Sequence, residues 1–305
     1  MKVIRDIDKM QEFARQVRLG GLTIGFVPTM GFLHEGHLEL VRHARDEADV
    51  VVVSIFVNPT QFDRSDDFDA YPRDDARDRA LLEGERVEVL FMPEADEVYL
   101  ADAATRVGVN GLTDTLCGPG RPGHFEGVTT VVAALFNMVM PDVAVFGEKD
   151  YQQLCVIRRM ARDLHSPVRI ASAPTVREPD GLAMSSRNAR LGQEGREAAS
   201  VIPAALEACV EAFASGEDDA QALLGVAREV MASRAGVEIE YLELVDADSL
   251  EAMTTASERS VVAAAAWVDG VRLIDNLIFS RWLSEYGDGE PAGQIGTIHG
   301  VHSDA

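Results

Sequence analysis

Short apolar runs alternate with amphipathic stretches over the first 174 residues of the chain. The apolar runs, which predict β-strands, are residues 22–28, 49–58, 87–93, 142–147 and 167–174. The run DVVVVSIFVN is continuously β-branched, as is typical of a strand buried on both faces of a parallel sheet. The stretches with helical spacing are residues 36–48, 73–84, 126–140 and 150–164. This alternation predicts an α/β fold with a doubly wound parallel sheet.

The pattern changes near residue 176. Two alanine-rich stretches, about 194–215 and 218–235, predict helices, and three strand-like runs follow: VEIEYLELVD, SVVAAAAWVD and VRLIDNLIF. Helices followed by strands predict a smaller α+β domain. We therefore expect a first domain at 1–175, a second at 176–284, and a Gly-rich, polar, disordered tail at 285–305.

The composition favours a cytoplasmic protein. The chain has 305 residues, 47% of them hydrophobic, but no apolar segment approaches the ~20 residues of a membrane-spanning helix. The first residues, MKVIRDIDKMQEF, are charged and lack a secretory apolar core. Cys117, Cys155 and Cys209 are far apart in the sequence, which favours buried thiols over a disulfide framework or a zinc site.

The charge distribution restricts the choice of ligand. A net charge of −23 argues against a nucleic-acid partner, which needs a basic surface, but leaves small anions possible at a locally basic site. The only lysines are Lys2, Lys9 and Lys149. Lys149, the single internal one, lies in the segment GEKD. A compact ammonium suits a phosphate contact in a way that a planar guanidinium does not.

The segment PTMGFLHEGH at 28–37 joins a predicted strand to a predicted helix. Ligands of open α/β sheets bind outside the carboxyl ends of strands, and a helix start offers free N–H groups to an anion. His34 and His37 lie one helical turn apart there. A metal pair, a capping turn and a phosphate cradle are all possible, although the spacing is not the HExxH that places two ligands on one helical face.

Four other segments carry polar residues near strand ends. In GEKDYQQ (147–153), Lys149, Asp150 and Gln153 begin a helix and either bind ligand or cap it. In PTVREPDGLAMSSRNARL (174–191), the Ser185–Ser186–Arg187 group either closes over a polyphosphate or belongs to a plain linker. NPTQF supplies Asn58 and Gln61, and GRPGHFEGV supplies Arg121 and His124, as ligand contacts or turn residues.

Taken together, these segments resemble the pantothenate synthetase (pantoate–β-alanine ligase) family of nucleotidyltransferases with a HIGH-type motif. The resemblance covers about residues 1–283. It rests on seven segments in order: VPTMGFLHEGH, VVVSIFVNPTQF, DAYPRD, RPGHFEGV, FGEKDYQQL, DGLAMSSRN and AAWVDGVRLIDN. It implies a Rossmann-like first domain, a homodimer, and an AMP-forming ligase that makes pantothenate, a coenzyme A precursor, through a pantoyl adenylate.

The resemblance also implies a role for individual residues. Catalytic contacts would come from His34, His37, Lys149, Ser185, Ser186 and Arg187. The ATP-binding set would be Met30, His34, His37, Gly147, Lys149, Asp150, Val176, Met184, Ser185 and Arg187. Gln61 and Gln153 would bind pantoate, and Asp78 would lie at the Mg²⁺ that accompanies ATP.

Two departures bear on these roles. Thr60 stands where methionine is common in the family, and Arg77 precedes Asp78 where some relatives carry a second acid. The second departure concerns the metal contact more than the reaction. Two alternatives stay open: another nucleotidyltransferase of the superfamily, which leaves the nucleotide on its product, and a nucleotide-binding module without activity.

Overall fold

A computed structural model of the chain describes residues 1–62 and 68–286. Within these residues it contains a six-stranded parallel sheet and a separate three-stranded antiparallel sheet. The predicted α/β fold with a smaller α+β part is therefore confirmed. The domain boundary at residue 176 stays a prediction, and residues 287–305 of the predicted tail lie outside the described part of the chain.

The first sheet is built from strands that alternate with helices. The strands are β1 (Lys2–Ile4), β2 (Ile24–Thr29), β3 (Val50–Ile55), β4 (Val89–Phe91), β5 (Val143–Gly147) and β6 (Arg169–Ala173). The helices are α1 (Ile7–Leu19), α2 (Glu35–Glu47), α3 (Asp75–Gly84), α4 (Ala95–Val98), α5 (Cys117–Gly120), α6 (His124–Val139) and α7 (Tyr151–Asp163). The strand order is β1-β4-β3-β2-β5-β6, and the paired strands are parallel.

Helices cover both faces of this sheet. The apolar side chains of α1, α6 and α7 pack on one face and those of α2 and α3 on the other. All six residues of β3 are buried, as the continuous β-branched run predicted. Helix α2 crosses close to β2 because Gly25 has no side chain: a Cβ there would lie 2.8 Å from the carbonyl oxygen of Ala44.

The second part of the chain packs helices on an antiparallel sheet. Its helices are α8 (Gln193–Ala199), α9 (Val201–Ala214), α10 (Ala220–Ala232) and α11 (Phe279–Tyr286). Its strands are β7 (Val237–Asp246), β8 (Ser260–Val268) and β9 (Val271–Ile278), in that order. Their apolar faces form a core of their own.

Two details of the predicted pattern are wrong. The single helix expected at about 194–215 is two helices, α8 and α9, which meet at Ser200. Residues 285 and 286, assigned to the tail, belong to α11.

Two broader expectations concern the cysteines and membrane insertion. All three cysteines are buried free thiols, as predicted. Among the described residues, no helix has both the length and the apolar character needed to cross a membrane.

Candidate active site

A cavity of about 240 Å³ opens at the carboxyl ends of the neighbouring strands β2 and β5. The strand order reverses here, because the chain continues outward from β2 to β3 on one side and from β5 to β6 on the other. Doubly wound sheets bind ligands at such a point. The wall includes all the catalytic, ATP-binding and pantoate-binding residues that the resemblance implied: Met30, His34, His37, Gln61, Gly147, Lys149, Asp150, Gln153, Val176, Met184, Ser185, Ser186 and Arg187.

The two histidines stand at the start of α2. His34 is the residue before the first helical turn, and its backbone N–H donates to Nδ1 of His37 over 3.3 Å. The two ring centroids are 4.0 Å apart. A neutral imidazole that accepts at Nδ1 carries its proton on Nε2, so His37 offers an Nε2–H donor. Gly36 leaves room for this pairing, since a Cβ there would lie 3.0 Å from the ring of His34.

Both rings are held in the uncharged form. Burial and the nearby Lys149 ammonium lower the pKa of His34 from 6.5 to about 4. Burial, with His34 and Lys149 beside it, lowers the pKa of His37 well below its ordinary value. Near neutral pH the histidines can therefore serve as hydrogen-bond donors but not as cations.

Lys149 enters the cavity from a 3-10 turn, Glu148–Asp150, that directly follows β5. Its Nζ lies 3.9 Å from Oδ1 of Asp150, and its side chain is 20% exposed. The described part of the wall carries three cations, Arg121, Lys149 and Arg187, and one carboxylate, that of Asp150. A locally basic cavity in a chain of net charge −23 is suited to an anion.

The segment at 176–187 closes the cavity from the other side. It folds back on itself, with the N–H of Met184 donating to the carbonyl of Val176 over 2.9 Å. The hydroxyl of Ser185 accepts from the N–H of Arg187 at 3.2 Å, which leaves the Ser185 O–H available as a donor. Ser186 donates its O–H to the carbonyl of Phe32 at 3.2 Å. This segment is thus tied to the loop before α2.

Gln61 is held in place by its neighbours at the end of β3. It lies in a 3-10 turn, Pro59–Gln61, and its Oε1 accepts from Nδ2 of the buried Asn58 at 3.1 Å. Its amide nitrogen lies 2.9 Å from the sulfur of Met30. Gln153 reaches the same cavity from α7. Both glutamines thus face the cavity that the histidines and Lys149 line.

The sequence left Arg121 and His124 open as ligand contacts or turn residues. Both line the cavity, and both also support the turn that carries Gln61. The ring Nδ1 of His124 is 2.7 Å from the carbonyl oxygen of Gln61. Since a carbonyl only accepts, Nδ1 carries the proton and donates. His124 Nε2 then accepts from Arg121 Nη1 at 3.2 Å. These residues hold the backbone of Gln61 from the side of α6.

Asp78 is not part of this described wall. It is 1% exposed, and its two oxygens accept from the backbone N–H groups of Phe32 and Leu33 at 2.7 and 2.8 Å. Burial raises the pKa of Asp78, and these hydrogen bonds oppose the rise. This placement favours a role in shaping the loop before α2 over the metal contact that the resemblance implied.

Most of the remaining described wall is apolar, and no local pattern in the sequence indicated it. Helix α6 supplies Val128, Val131, Val132 and Leu135, and Tyr71 adds its ring. The pattern predicted a buried helix at 126–140 but not which face would meet a ligand. That choice depends on how α6 packs against the sheet, which no local spacing encodes.

Known proteins share both the sequence and the fold of this chain. A family model described as pantoate–β-alanine ligase matches residues 2–278. The chain belongs to that family. The pantothenate synthetase of Thermotoga petrophila is 50% identical over 278 residues, which is 91% of this chain and 99% of that protein. The crystal structure of pantothenate synthetase from Thermus thermophilus superposes with a TM-score of 0.86 at 44% identity, covering 92% of this chain and 99% of that one.

One solved relative was crystallised with ligands. The pantoate–β-alanine ligase of Francisella tularensis, complexed with beta-gamma ATP and β-alanine, has a TM-score of 0.76 at 32% identity, over 92% of this chain and 98% of that one. As a pantoate–β-alanine ligase, the present chain binds ATP and joins pantoate to β-alanine in an ATP-dependent reaction. The predicted family, reaction and enzyme class are therefore confirmed.

The described residues offer magnesium no protein cage, since no three His, Cys, Asp or Glu side chains converge on one point within 1–62 and 68–286. Mg²⁺ is commonly held by one or two carboxylates together with substrate phosphates. Asp150, the carboxylate in the described wall, fits that donor set beside a bound triphosphate.

Proposed function

We propose that the ligation proceeds through a pantoyl adenylate in this cavity. The carboxylate of pantoate attacks the α-phosphorus of ATP. The bond between the α-phosphorus and the oxygen that bridges it to the β-phosphorus breaks, and pyrophosphate leaves with that oxygen. The amine of β-alanine then attacks the acyl carbon of the adenylate. It loses a proton as AMP departs with the electron pair of the acyl–oxygen bond, leaving pantothenate.

The observation that carries this proposal is the shared cavity of the two histidines, Lys149 and the Ser185–Arg187 segment. Phosphoryl-type transfer depends on positioning and on stabilising the charge of the phosphate oxygens. We assign the positive charge to Lys149 and Arg187 and neutral donors to His34, His37 and Ser185. Ser186 donates to Phe32 in this structure, so we assign it to holding the segment closed.

The other half of the cavity is suited to pantoate. Gln61 and Gln153 present neutral amides, which can bind hydroxyl and carboxylate groups without forming an ion pair that the attacking carboxylate would have to break. We assign Met30 to the contact between the two halves, because it touches Gln61. Val176, Met184 and Gly147 border the nucleotide half. Mg²⁺ bound beside Asp150 would supply further charge stabilisation to the phosphates.

The decisive assay is AMP formation from ATP. We expect AMP only when pantoate and β-alanine are both present, and pyrophosphate when pantoate is present alone. A stable nucleotide-linked product would favour another nucleotidyltransferase reaction. ATP binding by calorimetry without any product would favour a binding module.

Lys149→Ala tests the central assignment. We expect turnover to fall by about 10²–10³-fold, because a preorganised charge at the phosphates is lost. Lys9→Ala, which removes an exposed lysine of α1, is the matched control and keeps wild-type turnover. Circular dichroism checks that both variants fold, and a Lys149→Ala enzyme with wild-type turnover would contradict the assignment.

Two expectations remain: a homodimer, which the resemblance implies, and a cytoplasmic location, which the composition favours. Both stay predictions. Sedimentation equilibrium at assay concentrations tests the first, with a monomer mass of 33.1 kDa as the outcome that opposes it. Cell fractionation tests the second.

A further inference from the structure

The segment VRLIDN ends in two buried polar residues near the end of β9. Asp275 and Asn276 are 3% and 6% exposed, and neither belongs to the wall of the active-site cavity. Buried polar groups of this kind are stable only when their hydrogen bonds are satisfied. Their partners lie in the two segments that surround the nucleotide half of the cavity.

Asn276 binds the turn that carries Lys149. Its amide nitrogen donates to two consecutive carbonyls, that of Glu148 at 3.0 Å and that of Lys149 at 2.8 Å. The side chain of Glu148 is held as well, since its Oε1 accepts from Ser172 at 3.0 Å and from Arg281 of α11 at 2.8 Å. The backbone from which Lys149 extends is therefore fixed by the second part of the chain.

Asp275 binds the segment on the opposite side. Its carboxylate accepts from Arg177 through both terminal nitrogens, at 2.7 and 3.1 Å. Arg177 also donates to the carbonyl of Gly181 at 3.0 Å and so braces the fold-back that presents Met184 and Ser185. Asp275 further accepts from the backbone N–H of Asn276 at 2.8 Å, which links the two contacts.

We propose that Asn276 is a positioning residue for the adenylation step, acting through Lys149; this rests on the phosphate-binding role proposed for Lys149. A primary amide matches two carbonyl acceptors, because its two N–H groups satisfy both at once. Without the Asn276 amide, the Glu148–Asp150 turn loses the contact that sets the direction of the Lys149 ammonium. A shift of about 1 Å in a positioned catalytic group can cost 10²-fold in rate.

Two substitutions test the contact. Asn276→Asp is nearly isosteric and replaces the donor with an oxygen that repels both carbonyls, and Asn276→Ala removes the amide and serves if a buried carboxylate prevents folding. We expect the rate of pantoate-dependent pyrophosphate release to fall about 10- to 100-fold in each variant. KM for ATP rises, whereas KM for pantoate, which depends on Gln61, changes little.

Val271→Ala is the matched control for a loss of stability alone. Val271 is buried at the opposite end of β9, in the core of the same sheet. We expect it to lower the melting temperature while leaving KM for ATP and turnover at the wild-type values. An equal kinetic loss in Val271→Ala and Asn276→Ala at matched melting temperatures would overturn the proposal.

A double-mutant cycle separates the proposal from the function on which it rests. If Asn276 acts through Lys149, Asn276→Ala has little further effect in a Lys149→Ala background. Full additivity of the two losses would overturn the positioning role while leaving Lys149's own role intact. Wild-type turnover in Lys149→Ala alone would instead refute the role proposed for Lys149.

Discussion

His34 and His37 face the active-site cavity as uncharged rings because they share burial and the neighbourhood of Lys149. A neutral donor keeps its charge state when the phosphate leaves, whereas an imidazolium would titrate. The positive charge in the cavity is left to the cations of its described wall, Arg121, Lys149 and Arg187. The sequence left a phosphate cradle as one of three possibilities for the histidines, but their charge state depends on burial, which only the fold reveals.

The shifted pKa of His34 predicts a pH dependence of stability. Folded His34 titrates at about 4 and the unfolded side chain at about 6.5, so between these values the unfolded chain binds more protons. The free energy of unfolding therefore falls as the pH decreases from about 6.5 to about 4. We expect a shallower fall in His34→Gln, measured by urea unfolding at several pH values.

The control for that measurement is His165→Asn, which removes an exposed imidazole from a turn after α7. An unchanged pH dependence in His34→Gln would show that His34 is not held neutral by the fold. Titration of the imidazole resonances by NMR measures the pKa of each ring separately and so tests the same point.

Asp78 provides a second prediction at the residue scale. Asp78→Asn replaces one of two acceptors for the N–H groups of Phe32 and Leu33, so we expect a loss of about 1–3 kcal/mol in the free energy of unfolding. The Mg²⁺ concentration for half-maximal activity stays unchanged. Asp74→Asn, at the exposed start of α3, is the matched control and costs little, because asparagine caps a helix start about as well as aspartate. A several-fold rise in the Mg²⁺ requirement of Asp78→Asn would restore the metal contact.

Some residue assignments were beyond the reach of local spacing, although the family resemblance singled out Gln153. Gln152 and Gln153 are adjacent and alike, yet Gln153 lines the cavity while Gln152 is buried and binds the backbone of Leu112, Thr115 and Cys117. Nothing in QQ distinguishes them, because the direction of each side chain follows from how α7 packs. Asp78 likewise finds its partners 45 and 46 residues away.

At the scale of elements, α6 approaches the Pro59–Gln61 turn unusually closely. A Cβ at Gly127 would lie 2.4 Å from the carbonyl oxygen of Thr60 and 2.8 Å from the nitrogen of Gln61. The carbonyl of Gly127 also accepts from Asn58 at 3.1 Å. The position of Gln61 therefore depends on the absence of a side chain at Gly127 of α6.

Gly127→Ala is expected to move this turn. The overpacking should cost about 1–3 kcal/mol in the free energy of unfolding, despite the better helix propensity of alanine. KM for pantoate rises more than KM for ATP, since Gln61 lies in the half of the cavity that we assign to pantoate. Gly225→Ala in α10, where a Cβ meets nothing within 4 Å, is the control and stabilises by up to about 1 kcal/mol. Equal effects on both substrates would contradict this account.

Elements with a strong local pattern were predictable and those fixed by distant partners were not. The buried run of β3 and the amphipathic α7 lie where the sequence indicated. Strand β1 escaped prediction because three residues are too short for a period and its partner, β4, lies far along the chain. The break at Ser200 was hidden because alanine continues on both sides, and Pro203 is tolerated in the first turn of α9.

At the scale of the whole molecule, the acidic surface and the basic cavity respond oppositely to salt. The chain carries 51 acidic and 28 basic side chains, so repulsion outweighs attraction over the surface. We expect KCl raised from about 0.02 to about 0.2 M to screen this repulsion and increase the melting temperature by about 2–4 °C. KM for ATP should increase over the same range, because the attraction to Lys149 and Arg187 is screened too. A lower melting temperature at the higher concentration would contradict the first expectation.

The strand order has a consequence for synthesis on the ribosome. Strand β2 lies between β3, which follows it closely, and β5, which begins at Val143. Ribosomes add about 5–20 residues per second, so the edge of β2 that later pairs with β5 stays unpaired for about 6–24 s after it is made. During that interval the growing chain exposes a strand edge beside the loop to which we assign ATP binding, so a ribosome stalled before residue 143 would hold an aggregation-prone half-sheet.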